Sequence, residues 1–151
     1  MDAAYRYLNY RPRSEAEIKH RLHQCGFDTE VIEKTTAKLK EQNLIDDYAF
    51  AQFWKDNRLS FKPKSKRLIA KELSDKKVSR EIVEQVTSDI DDMGNACELG
   101  RRRMRLLAHL DYPDFQRRLS NYLGYRGFSY EVIRRTITLL WQEKGNYLIQ
   151  H

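Results

Sequence analysis

Apolar residues recur along this chain at intervals of three and four, the spacing that places them on one face of an α-helix. The gaps between apolar stretches contain proline, glycine and helix-capping residues, and no stretch alternates between apolar and polar positions as a strand does. The pattern therefore predicts an all-α fold. It predicts a first helix over about Ala3–Tyr10, ended by Pro12, and a second over about 15–25, opened by a capping box of Ser14 and Glu17.

One sequence unit of about 50 residues occurs three times along the chain. The three copies align at residues 22–32, 73–83 and 123–133, and Pro12, Pro63 and Pro113 fall in register upstream of them. Each copy has the spacing and the breaks of three helices. The chain is thus predicted to be a tandem array of three three-helix repeats, elongated or curved, in which stacked neighbours stabilise one another. The predicted repeats span residues 1–48, 49–95 and 96–151.

Equivalent helix signals mark the breaks inside each repeat. Gly26 and Gly127 stand where a helix commonly ends with a left-handed residue, whereas the middle repeat has Lys77 at this place. A residue with a side-chain oxygen then precedes the third helix of each repeat and can accept a hydrogen bond from a free backbone N–H. These predicted N-caps are Asp28, Ser79 and Ser129.

The sequence has no recognisable membrane span, which needs roughly 18 consecutive apolar residues, and no recognisable secretion signal. Cys25 and Cys97 lie in unrelated contexts, so we expect reduced thiols and a cytoplasmic protein. His20, His23 and Cys25 are close in sequence but have no matching second half-site. We therefore expect neither a metal nor a cofactor.

Catalytic motifs are not recognisable either. Asp46 and Asp47 are adjacent at a helix start and would point in different directions, so we interpret them as helix caps rather than as an acid–base pair. The six glycines are scattered singly and form neither a phosphate-binding loop nor the elbow of a serine nucleophile. The sequence predicts a protein that binds other macromolecules and is not an enzyme.

Positive charge is concentrated late in the chain. The formal net charge of +6 divides into −1, +2 and +5 over the three predicted repeats. This asymmetry favours a polyanion or an acidic protein surface as the partner, although positive charge also serves solubility alone.

Two basic clusters are the candidate binding residues. One lies in the linker between the first two helices of the middle repeat, where Ser65 would cap the second helix and expose N–H groups that could bind an anion; the alternative interpretation is a solvated loop. The other is predicted inside the first helix of the last repeat, where some arginines would point to solvent and others would pair with nearby acids. Binding and simple solvation are equally open for this second cluster. The clusters are Lys62, Lys64, Lys66 and Arg67 with Arg58 upstream, and Arg101, Arg102, Arg103 and Arg105.

Four motifs occur in order along almost the whole chain and together resemble the RecX family, the bacterial regulators of the recombinase RecA. They are Tyr7-Leu8-x-x-Arg11-Pro12-Arg13-Ser14-x-x-Glu17, Leu44-Ile45-Asp46-Asp47-x-x-Phe50-Ala51, Arg67-Leu68-x-x-Glu72-Leu73-x-x-Lys76 and Arg126-Gly127-Phe128-Ser129-Tyr130-x-x-Ile133. The resemblance implies tandem three-helix repeats. It also implies a cytoplasmic protein that lies in the groove of the RecA–DNA filament and limits filament growth, ATP hydrolysis, strand exchange and repressor cleavage.

The leading hypothesis is a monomeric, non-enzymatic regulator that binds RecA filaments and mainly inhibits RecA in recombination, DNA repair and the SOS response. The two basic clusters, supported by Arg11 and Arg58, would contact acidic groove surfaces or the enclosed single- or double-stranded DNA. Two alternatives stay open. A direct DNA-binding module of the helix-turn-helix kind should prefer particular duplex sequences, and a generic helical-repeat scaffold should bind other proteins.

Overall fold

The structure, a computed structural model, describes residues 1–150. It contains ten helices and no strand within this range, which confirms the predicted all-α fold. The helices are α1 (Asp2–Tyr10), α2 (Glu15–Gln24), α3 (Thr29–Glu41), α4 (Asp47–Ser60), α5 (Lys66–Asp75), α6 (Arg80–Thr87), α7 (Asp92–Arg102), α8 (Met104–Leu107), α9 (Tyr112–Tyr125) and α10 (Tyr130–Gln150).

The predicted helix signals act where they were expected. The Ser14 side chain accepts a hydrogen bond from the Glu17 N–H, and the Glu17 carboxylate accepts one from the Ser14 N–H, so the capping box that opens α2 is confirmed. Backbone N–H groups of α3, α6 and α10 donate to the three predicted N-caps. These bonds are Val31 to Asp28 at 2.9 Å, Ile82 to Ser79 at 3.3 Å and Val132 to Ser129 at 3.2 Å.

The turn after the second helix of each repeat has a left-handed residue, as the glycines predicted. Gly26 has a φ of +92° and Gly127 a φ of +90°. Lys77 adopts the same conformation at +63°, although it has the Cβ that disfavours it. The middle repeat therefore keeps the turn geometry of its neighbours without their glycine.

The last repeat departs from the predicted three helices. Its first helix, α7, ends at Arg102, and Arg103 has non-helical dihedral angles before the single turn of α8 begins. This break turns Met104 and Leu107 into the core, where both are buried. The prediction that all four arginines lie inside one helix is therefore wrong, since Arg103 lies at the break and Arg105 lies on α8.

The chain divides into two compact units. Unit 1 contains Met1–Asn57 and Ala70–Ser88, and unit 2 contains Arg58–Ile69 and the residues from Asp89 onward. The residues of the middle repeat are thus shared between the units. The core of unit 1 includes Ala4, Ile18, Leu22, Ile32, Leu39 and Ile45. The core of unit 2 is built mainly from Leu99, Met104, Leu107, Phe115, Leu119, Leu123, Phe128, Ile137 and Leu140.

Candidate functional site

Each unit contains a junction between neighbouring repeats. In what we call the first junction, the segment Arg11–Glu17 of the first repeat packs on the turn at Lys76. In the second junction, the segment Phe61–Leu68 of the middle repeat packs on the turn at Arg126 and Gly127. The basic linker predicted to bind a partner belongs to the second junction.

The paired aspartates connect successive repeats. Asp46 and Asp91 cap their own helices by accepting from the N–H groups of Ala49 and Gly94, at 3.1 and 3.0 Å. Their neighbours reach the preceding repeat instead: Asp47 accepts from the Glu15 N–H and Asp92 from the Lys66 N–H, both at 2.8 Å. Helix capping is therefore confirmed for Asp46 and Asp47, and Asp91 and Asp92 act in the same way. One carboxylate of each pair caps the second helix of the previous repeat.

A partly buried carboxylate, that of Glu17, pairs with the cations of the first junction. Glu17 accepts hydrogen bonds from Arg11, one of them at 3.2 Å, and its oxygen lies 3.4 Å from the Lys76 Nζ and 3.8 Å from the nearest Arg13 nitrogen. Burial raises the pKa of Glu17, but the hydrogen bonds from Arg11 and the Ser14 N–H, with the charges of Arg11 and Lys76, outweigh burial and hold this pKa below its usual value. The three cations of the first junction therefore share an acidic partner within the chain.

Hydrogen bonding and aromatic packing complete this junction. The Ser14 hydroxyl donates to the Lys76 carbonyl oxygen at 2.9 Å, and the Ser14 side chain is fully buried. The Arg11 guanidinium lies 5.4 Å from the centroid of the Trp54 ring. Arg11, a candidate binding residue, is thus already engaged in contacts that hold the fold.

The second junction is held by the backbone of the basic linker. The Ser65 N–H donates to the Arg126 carbonyl oxygen at 3.0 Å, and the Arg126 Nη1 donates to the Lys62 carbonyl oxygen at 3.2 Å. The Arg102 Nη1 donates to the Phe61 carbonyl oxygen at 2.6 Å. Two arginines of the last repeat therefore fix the linker by its carbonyl groups.

The anion site predicted at the start of α5 is already occupied by protein groups. Ser65 does cap this helix, accepting from the Leu68 N–H at 3.1 Å, and Asp92 accepts from the Lys66 N–H. A carboxylate at this end is favoured by the positive helix terminus as well as by the hydrogen bond. The prediction of exposed N–H groups is therefore wrong for Lys66 and Leu68, because Asp92 and Ser65 respectively accept from them.

The structure places the linker candidates in two environments. Lys62, Lys66 and Arg67 are exposed, and each can meet a partner without rearrangement of the fold. Arg58 and Lys64 are partly buried and make contacts within the protein. The exposed three therefore form the accessible part of the predicted cluster.

The arginine cluster of the last repeat is largely paired. Arg101 donates two hydrogen bonds to Glu143, at 3.1 and 3.0 Å, and these bonds lower the pKa of Glu143 and raise the pKa of Arg101. The Arg102 Nε lies 3.3 Å from an oxygen of Glu98. The Arg103 guanidinium lies 4.1 Å from the centroid of the Tyr122 ring, and Arg105 is exposed.

Sequence reasoning missed Arg126, whose side chain is partly buried at the second junction. Its guanidinium lies 5.2 Å from the centroid of the Tyr122 ring, which Arg103 also contacts, and its Nε is buried without an acceptor among the residues described. The alignment of the repeats could have identified Arg126, because the same offset that aligns Leu73 with Leu123 aligns Lys76 with Arg126.

Charge divides between the units more sharply than between the repeats. Unit 1 has thirteen Lys and Arg residues and fourteen Asp and Glu residues, whereas unit 2 has fifteen and eight. The basic linker belongs to unit 2 with the arginines of the last repeat. An acidic partner is therefore attracted mainly to unit 2.

Residues 1–150 contain neither a metal-binding cluster nor a membrane-spanning helix. No three His, Cys, Asp or Glu side chains of residues 1–150 lie together in a way that could hold a metal ion. No helix in the same range is long and apolar enough to cross a membrane.

Comparison with known families gives each repeat a counterpart in order. Models of the first, second and third three-helix domains of RecX match residues 1–39, 46–86 and 90–137, respectively. The chain belongs to the RecX family. The predicted resemblance and the predicted tandem array of three-helix domains are both confirmed.

Relatives named regulatory protein RecX align over nearly the whole chain. The protein of Chlorobaculum tepidum is 32% identical over 146 residues, which cover 96% of this chain and 90% of the relative. That of Mycobacterium sp. strain JLS is 33% identical, and the alignment covers 89% of this chain and 77% of the relative. The crystal structure of RecX from Lactobacillus salivarius superposes with a TM-score of 0.77 at 25% identity, covering 92% of both chains. These likenesses support a regulatory role.

Proposed function

We propose that this RecX chain binds RecA nucleoprotein filaments and restrains RecA activity in recombination and the SOS response. The observation that carries the proposal is the match of all three RecX domains, in order, to a chain that aligns almost end to end with regulatory proteins of that name. In this proposal the protein acts by binding, as a cytoplasmic monomer with no catalytic step of its own.

The distribution of charge supports unit 2 as the filament-binding part. Its excess of cations includes the exposed Lys62, Lys66 and Arg67, whose linker is held by Arg102 and Arg126. A preformed loop loses little conformational freedom on binding, so its charged contacts contribute more of their energy to affinity. Charge complementarity also accelerates encounter with a polyanionic filament.

The test is the ATPase rate of RecA filaments on single-stranded DNA as this protein is added, measured beside its binding to the same DNA without RecA. We expect inhibition at concentrations at which free DNA is not bound. Tight binding to free DNA without inhibition would overturn the proposal in favour of a direct DNA-binding module.

Replacing Lys62, Lys66 and Arg67 together with alanine tests the surface. Lys64 belongs to the predicted cluster, but it is partly buried, so the variant omits it to keep folding intact. We expect filament binding to weaken by at least about tenfold, because three charged contacts are lost.

The matched control removes the same charge from exposed positions of unit 1, by changing Lys38, Lys71 and Arg80 to alanine. Equal losses of filament affinity in both triple variants would show that net charge, rather than this surface, determines binding. Circular dichroism and thermal unfolding verify that both variants fold.

A further inference from the structure

The two junctions share a scaffold but differ at one position. The repeat register aligns Ser14 with Ser65, and each serine accepts a hydrogen bond from the N–H three residues later. That residue is Glu17 in the first junction and Leu68 in the second. The second junction therefore has a leucine at the position where the first junction has a carboxylate.

Cations occur at equivalent positions in both junctions. Arg11 aligns with Lys62, and Lys76 aligns with Arg126. In the first junction both residues lie against Glu17. In the second junction the Arg126 Nε is buried with no acceptor among the described residues, while Leu68 lies against Gly127.

An unsatisfied donor of this kind is unfavourable. A buried guanidinium N–H without an acceptor loses its hydration and gains nothing in return, and the cost is larger for a charged group. An anion from outside the chain, bound at the exposed part of this partly buried guanidinium, would supply the negative charge that Glu17 supplies in the first junction. Guanidinium groups bind carboxylates and phosphates through directed hydrogen bonds, so the missing group is an oxyanion.

We propose that the second junction binds a carboxylate of an acidic segment of a protein partner, in the role that Glu17 has in the first junction. The proposal rests on the filament regulation proposed above for the identity of the partner, because it assigns this contact to protein rather than to DNA. The proposed binding residues are Lys62 and Arg126, with Arg103, which contacts the same Tyr122 ring as Arg126.

Two observations favour an acidic peptide over a nucleic-acid backbone. The first junction shows that this scaffold accommodates one carboxylate among its cations, whereas phosphodiesters along a strand require an extended row of exposed cations. Apolar surface adjoins the arginines as well. Leu106, 56% exposed, lines a cleft of about 250 Å³ together with Arg103, Arg118 and Tyr122. Such a mixed surface suits side chains of a peptide.

The test supplies the missing carboxylate within the chain. Leu68→Glu places an acid in the second junction at the position of Glu17, and Leu68→Gln is the matched variant without charge. The probes are a fluorescein-labelled oligoglutamate peptide and a labelled oligothymidine, whose binding to the full chain is followed by fluorescence anisotropy. We expect Leu68→Glu to weaken peptide binding about tenfold, the value of one charged hydrogen-bonded contact, and Leu68→Gln to weaken it much less.

A second variant keeps the proposal testable should Leu68→Glu impair folding. Lys62→Glu changes an exposed side chain and leaves its backbone carbonyl bonded to Arg126. It should weaken peptide binding at least as strongly as Leu68→Glu, whereas Lys38→Glu, which changes the net charge equally in unit 1, should not.

The outcomes separate this inference from the proposed function, because the peptide assay contains no RecA. Loss of oligothymidine binding with unchanged peptide binding would identify a nucleic-acid site, and no peptide binding by the unaltered chain would also overturn the inference. Either result could occur while the ATPase rate of RecA filaments is still inhibited, so the filament assay independently decides the proposed function.

Discussion

The first and second junctions solve one packing problem with different electrostatics. In both, an aspartate of the next repeat caps the second helix of the previous one, and a serine connects the linker to the turn of the next repeat. In the first junction Glu17 also forms ion pairs with Arg11, Arg13 and Lys76, and the unit that contains it has nearly equal numbers of cations and acids. The second has Leu68 there, in a unit with nearly twice as many cations as acids.

The difference teaches how a repeat array can divide its tasks. A junction that pairs its cations with an internal carboxylate contributes to stability and offers little to a partner, whereas a junction that keeps the serine contact with the next turn but lacks the carboxylate leaves its cations for a partner. Since Ser65, Asp92 and Arg126 hold the linker backbone, the second junction can keep its shape without an internal ion pair.

The largest expected effect follows from the turn of the second junction. An alanine Cβ at Gly127 would lie 2.6 Å from the Ser65 Oγ and 3.0 Å from the Leu68 Cβ, at a φ of +90°. Gly127→Ala should lower the free energy of unfolding by about 3 kcal/mol, through overpacking added to the left-handed strain.

Gly26→Ala is the matched control, because Gly26 has a φ of +92° and no atom within 4 Å of the added Cβ. It should cost only about 1 kcal/mol, the backbone strain alone. Urea titrations of both variants measure the difference. Equal costs would show that the linker does not pack tightly on the turn at Gly127.

A smaller effect is expected when the first junction loses its charge. Glu17→Gln removes a carboxylate that accepts from Arg11 and the Ser14 N–H, so we expect a loss of about 2 kcal/mol at neutral pH. Glu84→Gln, on an exposed ion pair with Arg80, should cost less than about 0.5 kcal/mol. An equally small loss of stability for Glu17→Gln would contradict the conclusion that Glu17 stabilises the first junction by pairing with its cations.

The same variant has a signature in the pH dependence of stability. The pKa of Glu17 is lower in the folded chain, so its contribution is complete above its unfolded pKa of about 4.3 and is lost as pH falls through the folded value. Burial and the charge of Glu15 raise the pKa of Asp47 in the folded chain, so the unfolded chain loses this proton at a lower pH. Stability therefore falls as pH rises from the unfolded pKa of Asp47 to its folded pKa. Acid titrations of Glu17→Gln and Asp47→Asn should therefore change the slope in opposite directions.

Much of the fold could be predicted because its signals are local. The capping box of Ser14 and the left-handed turns at Gly26 and Gly127 depend on residues within a few positions of one another. The break at Arg103 depends instead on burial of Met104 and Leu107 in the core. The local sequence did not reveal it, because a run of arginines beside apolar residues predicts a continuous helix. The bounds predicted for the three repeats stay a prediction.

The site was predictable only as far as charge is. The sequence showed that cations gather at Lys62–Arg67, but not that Asp92 would cap α5 or that Arg11 would pair with Glu17. These contacts join residues that are distant in sequence or depend on how a linker folds back, so no local pattern encodes them. Arg126 was missed for the same reason, although the alignment of the repeats gives it the position equivalent to Lys76.

The smallest expected effect concerns the turn of the first junction, where Lys77 has a φ of +63° beside a cleft of about 360 Å³. Lys77→Gly should raise the free energy of unfolding by about 0.5–1 kcal/mol, because relief of left-handed strain exceeds the entropy that glycine adds to the unfolded chain. Lys77→Ala keeps the Cβ and should leave stability nearly unchanged, which separates backbone strain from loss of the side chain. Equal thermal stability of the glycine and alanine variants would show that the left-handed conformation at this turn, unlike that at Gly127, is not stabilised by a glycine.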